Sequence, residues 1–298
     1  MLTLALHHDE SVFVYLSEVQ KGKKNIEQLG LFSLDFSFNT AFLYQKDAKN
    51  MLSAMLKEII DLLSVKDEDL YFSFPADLIY ISLYDQVLKE DIQSVIDKDV
   101  WLTELKFGHD FIKQSDCQVK VSYKEKNLAS LTAIYYPKMI YELLQSACRD
   151  NHCKLVGMGV NIFNATEIVK SSVTGTNYIV IELKQDEYEL VNIVDNIIVG
   201  YTRFTYVNEH LLFFAKNGVI PDGLCKAVVT NDATILQRHI IYLTGSSTHI
   251  HEKCALKQAH EKIKIINPMV VNTTYLKPSV AYDKQYDTVF SSALGALI

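Results

Sequence analysis

The chain has 298 residues, 49% of them hydrophobic and 22% charged, with a formal net charge of -7. This composition excludes intrinsic disorder and allows one large domain or two coupled lobes. Lysines and arginines are scattered without a basic stripe, which argues against nucleic acid as a partner, and no apolar run approaches the ~20 residues of a membrane-spanning helix.

The first ten residues, MLTLALHHDE, lack the basic start and small-residue cleavage site of a signal peptide, so a cytoplasmic location is expected. LTLAL (2–6) and VFVYL (12–16) are strand-like runs that predict a hairpin around HHDES. LFSLDFSFN (31–39) alternates apolar and polar residues, as a half-buried strand does. AKNMLSAMLKEIIDLL (48–63) places Met51, Met55, Leu56, Ile59, Leu62 and Leu63 at helical spacing. Strand runs LYFSF (70–74) and LIYISLY (78–84) follow, and 88–108 predicts an amphipathic helix with Ile92, Val95, Ile96 and Val100 on one side. CQVKVSY (117–123) and ASLTAIYY (129–136) predict an antiparallel ladder. Pro137 suits the first turn of a helix over KMIYELLQSACRDN. CKLVGMGV (153–160) then returns to the sheet.

The second half repeats the plan. NYIVIEL (177–183), YELVNIVD (188–195) and IIVGYTRF (197–204) predict a three-strand meander. Helical patterns cover 208–216 and roughly 224–236, then strand IIYL, a helix from about 249 to 262, strand IKII and an end helix reaching FSSALGALI. Two halves, each a meander followed by α/β elements, indicate an α/β protein with a duplicated core.

Few motifs carry chemistry. Five cysteines, at 117, 148, 153, 225 and 254, have no framework spacing and are expected to be reduced, buried thiols. His249, His251, Glu252 and Cys254 look metal-like, but side chains two apart on a helix diverge, and ordinary polar helix residues are the simpler reading. His7, His8 and Asp9 read as a solvated turn, and Gly157-Met158-Gly159 as a turn at a sheet edge. There is no G-x-S-x-G, no Walker loop and no G-x-G-x-x-G. The stretch IIYLTGSSTHI, a strand breaking at Gly into a helix start, is the kind of corner that holds phosphates in many folds.

The layout resembles the actin-like ATPase superfamily and, within it, the type IV pilus assembly PilM family. The opening hairpin, the helix LKEDIQSVIDKDVW with its strand pair, the stretch PKMIYELLQSACRDNHCKLVGMGVNIFNA, and IIYLTGSSTHI with the closing VFSSALGALI carry the resemblance. It implies a duplicated, ribonuclease H-like two-lobed fold. The first lobe would span 1–170, with an inserted α+β subdomain at about 86–135, and a shortened second lobe 171–298. Each lobe would hold a mixed five-stranded sheet.

In that superfamily two hairpins carrying Asp-x-Gly hold the phosphates. The resemblance places Leu6 and His8 at the Asp and Gly positions of the first hairpin, with Asp9 one position late. It places Glu182 and Lys184 at those of the second. The adenosine turn becomes Thr244-Gly245-Ser246-Ser247, where a lone Gly also serves a purely conformational need. The expectation is therefore a non-catalytic scaffold with no cofactor and no resident metal. It would dock the cytosolic tail of an inner-membrane protein of a pilus or secretion assembly, and self-association is compatible with the family. The alternative is a divergent protein binding ATP with Mg through Asp9, Glu182, Gly245, Ser246 and Ser247.

Overall fold

The computed structural model describes residues 1–8, 10–19, 23–123, 127–173, 175–184, 187–245, 262–265, 276–278 and 290–295. Strand β1 (Leu2–Leu6) is buried along its whole length. It pairs antiparallel with β2 (Glu10–Val19) on one side and parallel with β4 (Asp69–Phe74) on the other. A strand covered on both sides and both faces reads as a continuous apolar run, as LTLAL does. Beyond β2 lies β3 (Lys23–Ser33), antiparallel, and beyond β4 lies β8 (Lys154–Val160), parallel.

The second sheet repeats this plan strand for strand. β9 (Tyr178–Leu183) is flanked by antiparallel β10 (Glu187–Val194) and parallel β13 (Ile241–Gly245). β11 (Ile197–Val207) and β14 (Ile263–Ile265) lie outside them. The order β3-β2-β1-β4-β8 thus matches β11-β10-β9-β13-β14, the expected pair of five-stranded mixed cores. Among the described residues each sheet gains one further edge strand, β15 (Leu276–Pro278) beside β3 and β12 (His210–Gly218) beside β11.

β12 corrects the helix expected over 208–216. Asn208 and Glu209 both adopt left-handed φ values, 49° and 66°, which close a two-residue hairpin turn and carry the β11 register onward. The strand expected over 31–39 ends at Ser33. The remaining helices follow the sequence more closely. α1 (Thr40–Leu43) leads into α2 (Ala48–Leu63), which buries Leu52, Met55, Leu56, Ile59, Ile60 and Leu63. That spacing is the stripe a helix needs to cover one sheet face.

The inserted subdomain spans 80–137 rather than 86–135, because the chain leaves the first sheet directly after the short turn Ala76–Leu78. Strands β5 (Tyr80–Leu88), β7 (Leu128–Pro137) and β6 (Ser115–Tyr123) form its antiparallel sheet in the order β5-β7-β6. Helices α3 (Ile92–Phe107) and α4 (His109–Gln114) connect β5 to β6. After β7, Pro137 caps α5 (Lys138–Asp150), and α6 (Asn161–Ser172) follows β8.

The second sheet has two differently covered faces. Ile179, Ile181 and Leu183 of β9 share a core with α7 (Leu224–Thr230) and α8 (Ala233–Leu236). Tyr178 and Val180 join the larger core of the first lobe, to which α6 contributes Ile162, Ala165, Ile168 and Val169. The described residues at the chain end belong to the first lobe too, against the expected second lobe of 171–298. α9 (Ser291–Leu294) packs on α6 and β1, and β15 pairs with β3. The apolar side chains Phe290, Ala293 and Leu294 drive that return.

Candidate functional site

The tips of β1 and β9, the two corresponding central strands, meet in the cleft between the lobes. Leu6, expected where the superfamily has Asp, is wholly buried, and its carbonyl accepts a hydrogen bond from Asn161 Nδ2 at 2.8 Å. His7 is buried rather than solvated, because the turn points it across the cleft, where its Nδ1 lies 3.8 Å from Glu182 Oε1. His8 turns the other way, its Nε2 3.7 Å from Asp77 Oδ1. Asp9 lies outside the described residues.

Glu182 is 1% exposed, and neither carboxylate oxygen makes a hydrogen bond among the described residues. Its cross-strand neighbour in the β9–β10 ladder is Glu189, also fully buried. Burial, followed by the nearby Glu189 charge, pushes the Glu182 carboxyl up to about 8. Lys184, at the second expected Gly position, folds its ammonium back onto Glu189. Burial works to lower the Lys184 pKa, but Glu189, Glu182 and Asp77 together raise it above its ordinary value. Around them stand Tyr201, its hydroxyl pushed well up by burial and then by Glu189, and Arg203, whose Nε lies 3.7 Å from Glu187 Oε2.

The sequence singled out Glu182 and Lys184 but not His7, Asp77, Glu189, Tyr201 or Arg203 as their neighbours. A signal existed: YIVIEL and YELV are strand runs whose only charges fall at positions that the ladder brings opposite each other. A buried like-charge pair is a costly arrangement, and proteins keep such pairs where they titrate or take a counter-charge.

Gly245 closes β13 with φ +144°, and a Cβ there would stand 2.2 Å from the Leu183 carbonyl oxygen. The glycine is therefore required by the close parallel approach of β13 to β9, whatever else the corner does. Ser246 and Ser247 lie outside the described residues, as do His249, His251, Glu252 and Cys254. Among the described residues no group of three or more His, Cys, Asp or Glu is placed to hold a metal ion. Gly157 and Gly159 are strand residues of β8 rather than a turn; Cβ atoms there would strike Tyr71 at 2.7 and 2.4 Å. Cys148 and Cys225 are buried, but Cys117 is exposed on β6, the terminal strand of the inserted sheet.

His8 and Lys184, expected where the superfamily has glycine, both carry side chains here, and His7 Nδ1 approaches Glu182 Oε1 to 3.8 Å between the two hairpins.

A second concave feature lies between the first lobe and the inserted subdomain. A cavity of about 290 Å³ is bounded by Cys117 and Gln118 of β6, Ile134 and Tyr136 of β7, and Met158 to Val160 of β8. Among the described residues β6 and β8 are both terminal strands of their sheets, so two rows of backbone donors and acceptors border it. No described helix is long and apolar enough to cross a membrane.

No family model and no curated protein matches this chain. Solved structures do. The chain is similar to a protein in the structure of a PilM–PilN type IV pilus biogenesis complex, at 12% identity and TM-score 0.67, over 99% of this chain and 97% of that one. It also matches a Bacteroides thetaiotaomicron protein with an actin-like ATPase fold and unknown function (13% identity, TM-score 0.48, 90% of each chain). A third match is the cytoplasmic domain of EpsL, an inner-membrane component of the Vibrio cholerae type II secretion system (7% identity, TM-score 0.46, 95% and 91%). The chain has the actin-like ATPase fold.

Proposed function

We propose that this protein is a non-catalytic actin-like scaffold that docks an extended segment of a partner protein. One observation carries the reading: at the hairpins that hold phosphates elsewhere in the superfamily, His7 comes within 3.8 Å of Glu182 and Lys184 pairs with Glu189. Phosphoryl transfer depends on positioned cations and backbone donors around the γ-phosphate, and side chains at the two glycine positions would obstruct the backbone approach it needs. The cavity between β6 and β8 suits strand addition, in which a partner's backbone pairs with an open edge and its side chains enter the pocket. The similarity to a chain of a PilM–PilN type IV pilus biogenesis complex supports a protein partner in a pilus or secretion assembly, which this reading takes to be the cytosolic tail of a membrane-bound component. The scaffold would then work in the cytoplasm, at the inner face of that membrane.

The competing reading, ATP with Mg held through Asp9, Glu182, Gly245, Ser246 and Ser247, draws on the two oxygens of Glu182 that make no hydrogen bond. Thermal unfolding with and without millimolar Mg-ATP separates the two, since a ligand that binds only the native state raises the melting temperature with its concentration. The scaffold reading expects no shift with Mg-ATP, together with retention of single-span membrane-protein tails by the immobilised protein. A rise in melting temperature with Mg-ATP that is abolished by Glu182→Gln establishes the nucleotide reading instead.

A further inference from the structure

A cavity of about 390 Å³, within the range of ligand-sized sites, opens where the first lobe, the inserted subdomain and the second sheet converge. Its walls are aromatic. Tyr80 of β5 meets Phe107 of α3 edge-on at 4.8 Å between centroids, Phe107 meets Phe111 of α4 at 4.8 Å, and Tyr135 of β7 completes the cluster at 5.9 Å from Tyr80. Phe214 of β12 lines the opposite side and is 52% exposed; Phe107 is 43% exposed.

Two further observations say what fits. First, β5 ends the inserted sheet and β12 ends the second sheet, both strands contribute to the cavity, and the two do not pair with each other. Along β12 the consecutive residues Leu212, Phe213 and Phe214 are all exposed, and the bulge at Phe214 and Lys216 beyond it confine the apolar part of this edge to that short stretch. A short apolar edge stretch beside apolar pockets is a template for an extended chain. Second, the rings carry cations. Lys106 Nζ lies 4.6 Å from the Tyr80 centroid and 5.0 Å from that of Phe107, and the Arg203 guanidinium lies 5.1 Å from that of Phe214. Deeper in, Arg203 Nε and Asp77 Oδ1 are buried without hydrogen bonds among the described residues.

We infer that this junction is a second docking surface, whose occupant is an extended partner segment with alternating apolar and acidic side chains. The backbone pairs with the β12 edge, apolar side chains enter the aromatic cavity, and carboxylates meet Lys106 and Arg203. This surface is separate from the β6–β8 groove, and its test does not depend on that groove being used.

The test is selection of a random dodecapeptide display library on the immobilised full chain, followed by affinity measurement on a synthetic peptide of the enriched sequence. The expected sequences interleave Leu, Ile or Phe with Asp or Glu. Binding should weaken about tenfold or more, the size of one good contact, in Phe214→Ser and in Lys106→Glu. Both side chains are exposed, so these variants keep the fold, and circular dichroism checks it. Binding should be unchanged in Met158→Lys, which alters the other groove. Cationic sequences, no enrichment over bare support, or a peptide lost with Met158→Lys and kept with Phe214→Ser would each overturn the inference.

Discussion

Glu182 is the residue at which the cleft's chemistry can be measured. Its carboxyl is raised from an ordinary 4.5 to about 8, so the native state holds this proton more tightly than the unfolded chain does. The stabilisation is therefore complete below the ordinary value and is lost as pH rises through about 8. The groups that face it are His7 from the first hairpin, Glu189 from β10, Lys184 from its own hairpin, Asp77 from the turn after β4, and Tyr201 from β11. Glu182→Gln keeps the shape and removes the titration. The wild-type melting temperature should fall between about pH 5 and pH 9, while the variant should lose that slope and be the more stable protein at the alkaline end, by about 2–4 °C for each kcal/mol recovered. A variant with the wild-type pH profile rules Glu182 out as the titrating group. The sequence exposed half of this site. A charge inside an apolar strand run is visible in YIVIEL, but its partners come from the turn after β1, from β10 and β11, and from the turn after β4, and only the folded chain brings them to it.

At the scale of single elements, α3 is the least ordinary. Its apolar positions Ile92, Val95, Ile96 and Val100 are only half-buried, Trp101, Leu102 and Leu105 are exposed, and the fully buried side chains are Asp99 and Thr103. Asp99 anchors the helix by accepting hydrogen bonds from Tyr84 at 2.7 Å and Tyr135 at 2.8 Å. Burial, then the hydrogen bond to Asp99, raises both phenols above their ordinary range. Asp99→Ala removes the acceptor that both hydroxyls share beneath the helix and should cost about 1–3 kcal/mol, with Asp99→Asn milder because it keeps an acceptor. Hydrogen exchange checks the location of the loss: α3 amides should lose protection first, and equal loss in the two large sheets would contradict the anchor. Periodicity predicts α3 as a helix but cannot reveal that a carboxylate fixes it. The same limit explains β12. Leu211, Phe214 and Ala215 sit at helical spacing, yet the left-handed pair Asn208-Glu209 closes a hairpin first, and pairing with β11 settles the outcome.

For the whole molecule, the question is what makes two similar halves one cooperative unit. α6 lies against strands of both sheets, and its apolar residues share one core with Tyr178, Val180, Val191 and Ile193 of the second lobe. α9 then clamps α6. Asn164 of α6 donates to the Ser292 carbonyl at 3.1 Å, and a Cβ on Gly295 would stand 1.8 Å from the Asn164 carbonyl oxygen, so the Ala-Leu-Gly ending is written for this contact. That ending was legible in the sequence as a motif; the lobe it serves was not, because nothing local to it specifies which sheet it covers. Leu294 is wholly buried beneath the clamp. Leu294→Asp places an unpaired charge there and should cost more than about 3 kcal/mol. If α9 couples the lobes, calorimetry should record one transition for the wild type and two for the variant, the first lobe melting ahead of the β9–β13 sheet. A single transition merely moved to lower temperature would assign the coupling to α6 alone, since the lobes would then still unfold together with their clamp undone.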